Sequence, residues 1–221
     1  MRLIYKVLTF FLTVGFVYLI FNYSQLIKSY PIKTISFKGE FIYADEKGIR
    51  KQLQYFIGKD LIKIDILKIK ESIKKNDWVN NVLVERRFPD TLFIEIFEYQ
   101  PALLWNNEYY IDDKGIKFKV EKNIALNLPE IKSDTLNYLV MYDLYMSLSN
   151  MLKKVDLSIL SISHKNDMLD IHTNKYNFLV RYSEYSQKID EFIHVFEQFQ
   201  NKNKKNIKTI DLRYPTGFAV H

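Results

Sequence analysis

The chain has 221 residues, 48% of them hydrophobic and 26% charged, a balance that excludes a disordered polymer and suits one or two domains with cores of their own. Its formal charge of +6 is spread over scattered lysines, the pattern of a solvated surface, and does not mark a nucleic-acid partner. The absence of cysteine excludes disulfides and thiolate metal sites and leaves the compartment open.

Val7 to Phe21 (VLTFFLTVGFVYLIF) is uncharged, and with Leu3, Ile4 and Tyr5 it approaches the roughly 20 apolar residues that cross a bilayer. A cleaved signal peptide is the rival reading, but NYSQLIKSYP offers no small-x-small cleavage site. The expectation is therefore a short cytoplasmic tail over residues 1–6, a transmembrane helix over 7–23 and the rest of the chain outside. Arg2 and Lys6 favour that orientation, whereas Lys28 and Lys33 on the far side weaken it.

From Pro31 the pattern becomes that of an α+β domain. PIKTISFKG alternates as a short strand closed by Gly39, and Ile49, Leu53 and Phe56 recur at helical spacing behind Asp45 and Glu46, with Gly58 as the stop. Asp65 is placed to cap a second helix carrying Ile66, Ile69 and Ile73. WVNNVLVERRFPDTLFIEIFE then alternates Val82 and Val84, turns at Pro89-Asp90, and alternates Leu92, Ile94 and Ile96. The order β-α-α-β-β predicts a three-stranded sheet with helices on one face, with Trp78 and Ile94 in its core.

Glu98-Tyr99-Gln100-Pro101 marks a boundary. Beyond it the sequence predicts a mostly antiparallel sheet with two helices. The strands fall around Ala102 to Trp105, Tyr109 to Ile111, Ile116 to Phe118, Ile159 to Ile171 with a break, and Phe178 to Tyr182. One helix carries Val140, Leu144 and Leu148, and the other Ile189, Phe192, Ile193, Phe196 and Phe199. Lys202, Lys204 and Lys205 among asparagines read as the loop after it. In IKTIDLRYPTGFAVH, Ile207, Thr209, Asp211 and Arg213 alternate with Lys208, Ile210, Leu212 and Tyr214. Tyr214 to Gly217 then turns the chain, and Phe218 to His221 resumes as a strand whose outer edge nothing covers.

Catalytic constellations do not emerge. His164, His172, His194 and His221 lack zinc-ligand spacing, Ser72 and Lys75 make an isolated S-x-x-K match on a lysine-rich helix, and Asp112-Asp113 in DDKG is the composition of a turn. The abundant aromatic residues follow strand and helix periods and read as core. No enzyme and no cofactor is expected, and a membrane-tethered hydrolase would need a nucleophile or acid-base set that is not displayed.

Taken in order, GKDLIKID, WVNNVLVERRFPDTL, IEIFEYQPALLW and IDLRYPTGFAV, behind one apolar segment, resemble the FtsQ/DivIB family of bacterial cell division proteins. The resemblance implies a POTRA domain over 31–98 and the family's β domain over 99–221, both periplasmic. It further implies a non-enzymatic divisome scaffold in the inner membrane at the septum that binds FtsB and FtsL and helps control septal peptidoglycan synthesis. Other divisome proteins would meet the POTRA domain. In the family, a segment of FtsB adds as a strand to the last strand of the β domain. Carried onto this sequence, the partner-binding residues are Arg213, Tyr214, Thr216 and Gly217, with Phe218, Ala219 and Val220 as the pairing edge. Lys165, beside His164, is the candidate for the family's basic contact, although the stretch lacks the family's arginine and tryptophan. The plain alternative for Arg213 is a surface ion pair with Asp211. POTRA units also serve outer-membrane protein assembly and secretion, which is the rival function, but such chains carry several units or a barrel.

Overall fold

The computed structural model describes residues 2–25, 29–121, 124, 126–202 and 207–221. Lys28, Lys204 and Lys205 lie outside the described residues. The chain divides into two compact units, Met1–Glu98 and Tyr99–His221.

The first unit begins with helix α1 (Arg2–Gln25), whose 24 residues correspond to about 36 Å of rise. From Leu8 to Ile20 its large apolar side chains are exposed. Among the described residues, no helix is long and apolar enough to cross a membrane.

After α1 come β1 (Thr34–Lys38), α2 (Glu46–Leu53), α3 (Ile66–Ile73), β2 (Val79–Arg87) and β3 (Thr91–Glu98). The strands are ordered β1-β3-β2, with β1 parallel and β2 antiparallel to β3. Helix α2 stops at Leu53, and a 3-10 turn carries the chain to Phe56. Asp45 caps α2, and Asp65 caps α3 by accepting from the Leu67 and Lys68 amides at 3.0 and 3.2 Å. Ile49, Leu53, Ile69 and Ile73 pack on Val82, Val84, Leu92, Ile94 and Ile96, the set that period-2 and period-3.6 spacing predicts. Trp78 is buried just before β2, where its ring stacks on Tyr43 at 4.6 Å. Gly39 is required because a Cβ there would sit 2.5 Å from the Ile96 carbonyl, and its φ of 131° is open to glycine alone.

Two polar clamps secure the irregular segments of this unit. The Arg86 guanidinium donates to the carbonyls of Leu61 and Ile64 at 2.7 and 2.8 Å, fixing the GKDLIKID loop between the helices. The buried Glu98 carboxylate accepts from the amides of Ile42, Tyr43 and Ala44 at 2.9 to 3.0 Å. Neither role is visible in residue periodicity, because both serve backbone groups that no ladder satisfies.

The second unit contains β4 (Pro101–Trp105), β5 (Tyr109–Asp112), β6 (Lys117–Phe118), β7 (Glu130–Ser133), α4 (Tyr138–Leu152), β8 (Ile159–Lys165), β9 (Met168–Thr173), β10 (Asn177–Arg181), α5 (Tyr185–Lys202), β11 (Thr209–Asp211) and β12 (Ala219–Val220). They form one sheet in the order β12-β11-β10-β9-β8-β7-β4-β5-β6. The expected strand with a break is the β8–β9 hairpin. β7 is not among the expected strands, since EIKS offers one apolar residue in four. Its Ile131 is nonetheless fully buried.

Five of the eight pairings are antiparallel, while β4–β7, β7–β8 and β10–β11 are parallel. α4 and α5 are the crossovers that make β7–β8 and β10–β11 possible, because parallel neighbours cannot be joined by a tight turn. Met141, Leu144, Leu148 and Leu152 of α4 join Ile189, Phe192, Phe196 and Phe199 of α5 in one core with Ile162, Ile171, Phe178, Val180 and Ile210 of the sheet. The terminal strand is shorter than its alternation suggests. The strand proper spans Thr209–Asp211, with backbone bonds from Lys208 and Leu212 at its ends, and Asp211, expected on the face opposite Ile210, is buried like it.

Candidate partner-binding edge

β10 and β11 run parallel, with Phe178 opposite Ile210 and Leu179 opposite Asp211. The Leu212 amide donates to the Leu179 carbonyl at 2.8 Å, and the chain then leaves the sheet. It returns as β12 after the turn at Tyr214 to Gly217, where Gly217 has a φ of 72°. No atom lies near its missing Cβ, so the backbone conformation alone calls for glycine here.

β12 is the outermost strand of the sheet, with Val220 opposite Ile210 and Ala219 opposite Asp211. His221 and Thr209 exchange both backbone hydrogen bonds, at 2.9 and 3.0 Å. Bonded and non-bonded positions alternate in an antiparallel pair, so Ala219 directs its amide and carbonyl toward β11 and Val220 directs its own outward. The free donor and acceptor of this edge therefore belong to Val220. Tyr214 is 50% exposed, and Arg213, Thr216 and Gly217 are exposed around it.

Three structural facts bear on the residues of this region. The Phe218 ring packs edge-on against Phe192 and Phe199, with centroids 5.4 and 5.8 Å apart, so its side chain anchors the last strand to α5. The Asp211–Arg213 pair is not an ordinary surface pair. The Asp211 side chain is almost wholly buried, and its Oδ1 accepts from the Arg213 Nε at 2.8 Å and the Arg213 amide at 3.1 Å. The hydrogen bond from the Arg213 guanidinium, stronger than the opposing effect of burial, holds the Asp211 carboxyl below the ordinary carboxylate range. Finally, Lys165 is exposed at the end of β8, four strands from β12, about 19 Å away at the usual strand spacing. In register terms it stands in one row with Met168 and the exposed Arg181.

Lys188, which no sequence pattern singles out, is buried to 6% exposure on α5. Its ammonium donates to the Pro215 carbonyl at 2.9 Å and reaches Glu191 at 3.3 Å. Hydrogen bonds from Gln187 and then Lys188 lower the Glu191 carboxyl. A cation placed at helical spacing among Ile189, Phe192 and Phe196 could have signalled a partner across the helix, but only the fold identifies it as a turn carbonyl.

Three of the positions weighed from sequence for chemistry hold hydrogen bonds. Asp112 Oδ1 accepts from the amides of Lys114 and Ile116 at 3.0 and 2.7 Å, closing the DDKG turn. Ser72 bonds the Gln52 amide. His164 is buried and shares a 3.0 Å hydrogen bond with Ser133 Oγ. Among the described residues, no three His, Asp or Glu side chains cluster as a metal site would require.

Comparison with known proteins matches residues 30–99 to the POTRA domain, FtsQ-type, and residues 103–213, half of the chain, to the C-terminal domain of cell division protein FtsQ/DivIB. The chain belongs to the FtsQ/DivIB family. Among its relatives, the cell division protein FtsQ of Neisseria meningitidis is 24% identical over 192 residues, covering 86% of this chain and 81% of its own. That of Neisseria gonorrhoeae is 25% identical over 195 residues, covering 86% and 79%. FtsQ of Shewanella oneidensis is 25% identical over 206 residues, covering 92% and 78%. All are named as cell division proteins and none as an enzyme. The family match ends at Arg213, so the turn and β12 lie beyond it.

Proposed function

We propose that this FtsQ-family chain is a divisome scaffold that captures FtsB by strand addition at β12, engages FtsL through the same complex and helps control septal peptidoglycan synthesis. The observation that carries the reading is the outward-facing backbone of Val220 on the last strand of the sheet, beside a half-exposed Tyr214. Strand addition draws affinity from such free main-chain groups and specificity from alternate side chains, and an uncovered edge is otherwise a liability for aggregation.

Residues 1–6 would be the cytoplasmic tail, residues 7–23 of α1 the inner-membrane anchor, and 31–98 and 99–221 the periplasmic POTRA and β domains at the septum. The support for the anchor is the exposed apolar surface of α1 from Leu8 to Ile20 and the uncharged sequence Val7 to Phe21 around it. The POTRA domain is the natural meeting place for other divisome proteins.

Purification of the intact protein from membranes, with identification of what accompanies it, tests this. Recovery of FtsB and FtsL supports the scaffold. Recovery of outer-membrane precursors without them overturns it. A reporter after His221 should be active only outside the cytoplasm.

A further inference from the structure

Two segments of the POTRA unit that contact Tyr30 in space carry exposed apolar side chains. Tyr55 is 70% exposed, Ile57 47%, Ile62 51% and Phe88 59%. These side chains belong to one end of the unit. The Phe88 ring packs edge-on against Tyr30 at 5.3 Å, and the Tyr30 carbonyl accepts from the Leu61 amide at 2.7 Å. Ile32 and the loop exchange two more backbone hydrogen bonds, Ile32 to Lys59 and Gly58 to Ile32, both at 2.9 Å. The Lys59 ammonium lies 3.1 Å from the Tyr55 ring centroid. At the β2–β3 turn the Lys33 amide donates to the Asp90 carbonyl at 2.9 Å, which places Lys33 at the same end.

The charges around this surface leave a small positive excess, the sign that suits an anionic lipid surface. Lys33, Lys59, Lys63 and Arg87 surround it. Lys33 is paired with Asp90, Lys63 with Asp60 at 4.0 Å and Arg87 with Glu85, while Lys59 lies over the Tyr55 ring, so four bases stand against three acids. Aromatic and aliphatic tips ringed by lysine are the composition that lies in a headgroup layer, where rings suit the interface and lysines are attracted to anionic lipid.

Chain length selects the occupant. Tyr30 is five residues beyond Gln25, the last residue of α1, so the two cannot be more than about 18 Å apart. If α1 is the anchor, as proposed above, this end of the POTRA unit is held within a headgroup layer's thickness or two of the bilayer. We infer that the surface formed by Tyr55, Ile57, Ile62 and Phe88, with Lys33, Lys59 and Lys63, rests on the anionic phospholipid surface from which the anchor emerges. Such contact would restrict the tilt of the POTRA unit against the membrane. The inference rests on the anchor reading and adds a second, separable membrane contact.

The absence of cysteine makes the test clean. The full chain carrying Ile57→Cys, labelled with an environment-sensitive fluorophore, is reconstituted into phosphatidylcholine vesicles with or without phosphatidylglycerol. Lys74→Cys, exposed at the far end of α3, is the reference. A blue shift at position 57, quenched by headgroup-depth nitroxide lipid, greater with phosphatidylglycerol and absent at position 74, supports the proposal. Replacing Lys33, Lys59 and Lys63 together by Glu should then reduce the shift while the protein still floats with the vesicles. Equal exposure to water at the two positions overturns the inference but leaves the anchor intact. A blue shift without lipid quenching also overturns it, by pointing to protein contact. Failure of the chain to float with vesicles after alkaline washing removes the anchor and the inference together.

Discussion

The Lys188 ammonium donates to the Pro215 carbonyl at 2.9 Å, so a buried cation on α5 holds the turn from which β12 departs. That bond joins the Phe218 packing in tying α5 to the outer edge of the second unit. Replacing Lys188 by Met keeps the apolar stem and removes the donor. It should cost about 1 kcal/mol of stability, the worth of one hydrogen bond, because the Pro215 carbonyl can turn to water. Capture of FtsB should weaken more than stability does, since Tyr214 and Gly217 flank the released carbonyl. Calorimetric melting and titration with an FtsB segment would separate the two effects.

The direction of the Val220 backbone permits a sharper test of strand addition. Val220→Pro removes a donor that points away from the sheet, so it should abolish capture with little change in melting temperature. Ala219→Pro instead removes a donor facing β11 and should lower both. Equal loss of binding and stability in the two variants would mean that the strand is structural and not a docking edge.

Much of this fold is legible because its core follows simple periods. Val82 and Val84, Leu92, Ile94 and Ile96, Ile69 and Ile73, and the Phe192, Phe196 and Phe199 stripe all lie where alternation or helical spacing puts them. β7 is obscured because a strand covered on both sides by parallel neighbours needs only Ile131 and its backbone to hold its place. The edge residues are less legible than the fold. Phe218 looks like part of an exposed strand until α5 is seen beside it, and Asp211 looks solvated until Arg213 is seen folding over it. Lys188, Arg86 and Glu98 act on carbonyls or amides distant in sequence, and local patterns carry no trace of such pairings.

Asp211 makes the β11 region sensitive to acid. Its folded pKa is depressed, chiefly by the Arg213 hydrogen bond, so the stability it contributes is fully present above the ordinary carboxylate range. That contribution is lost as pH falls through the range and on toward the lower folded value. Asp211→Asn should therefore be less stable than the parent at neutral pH, and the gap should close on acidification below the usual Asp pKa. Melting curves from neutral to acid pH would show it, and a gap that stays constant would mean that the pair contributes nothing through its charge.

In the POTRA unit, Trp78→Ala removes a buried indole stacked on Tyr43 and should cost about 3 to 5 kcal/mol, whereas Asp65→Ala should cost about 1 kcal/mol through the lost cap. Glu98→Ala acts differently, because it frees three amides of one loop. Amide exchange should accelerate first at Ile42, Tyr43 and Ala44, before any change in the strands. Exchange that stays slow there would show that the carboxylate is not what orders the loop.

Tyr214 carries the last and most direct prediction. Its ring is half exposed at the start of the turn that leads into β12, and a rigid amphipathic ring is the kind of residue that dominates interfaces. Tyr214→Ala should leave the melting temperature nearly unchanged, since the ring covers little of the core, and should weaken FtsB binding by about 1 to 3 kcal/mol, on the order of ten- to a hundredfold. Tyr214→Phe should keep most of that affinity if the ring face is the anchor, and lose it if the hydroxyl is. Deleting residues 218–221 is a poorer test than it looks, because it also withdraws the Phe218 ring from Phe192 and Phe199 and lowers stability on its own account. Unaltered capture of FtsB by both Tyr214→Ala and Val220→Pro would place the docking site elsewhere on the chain.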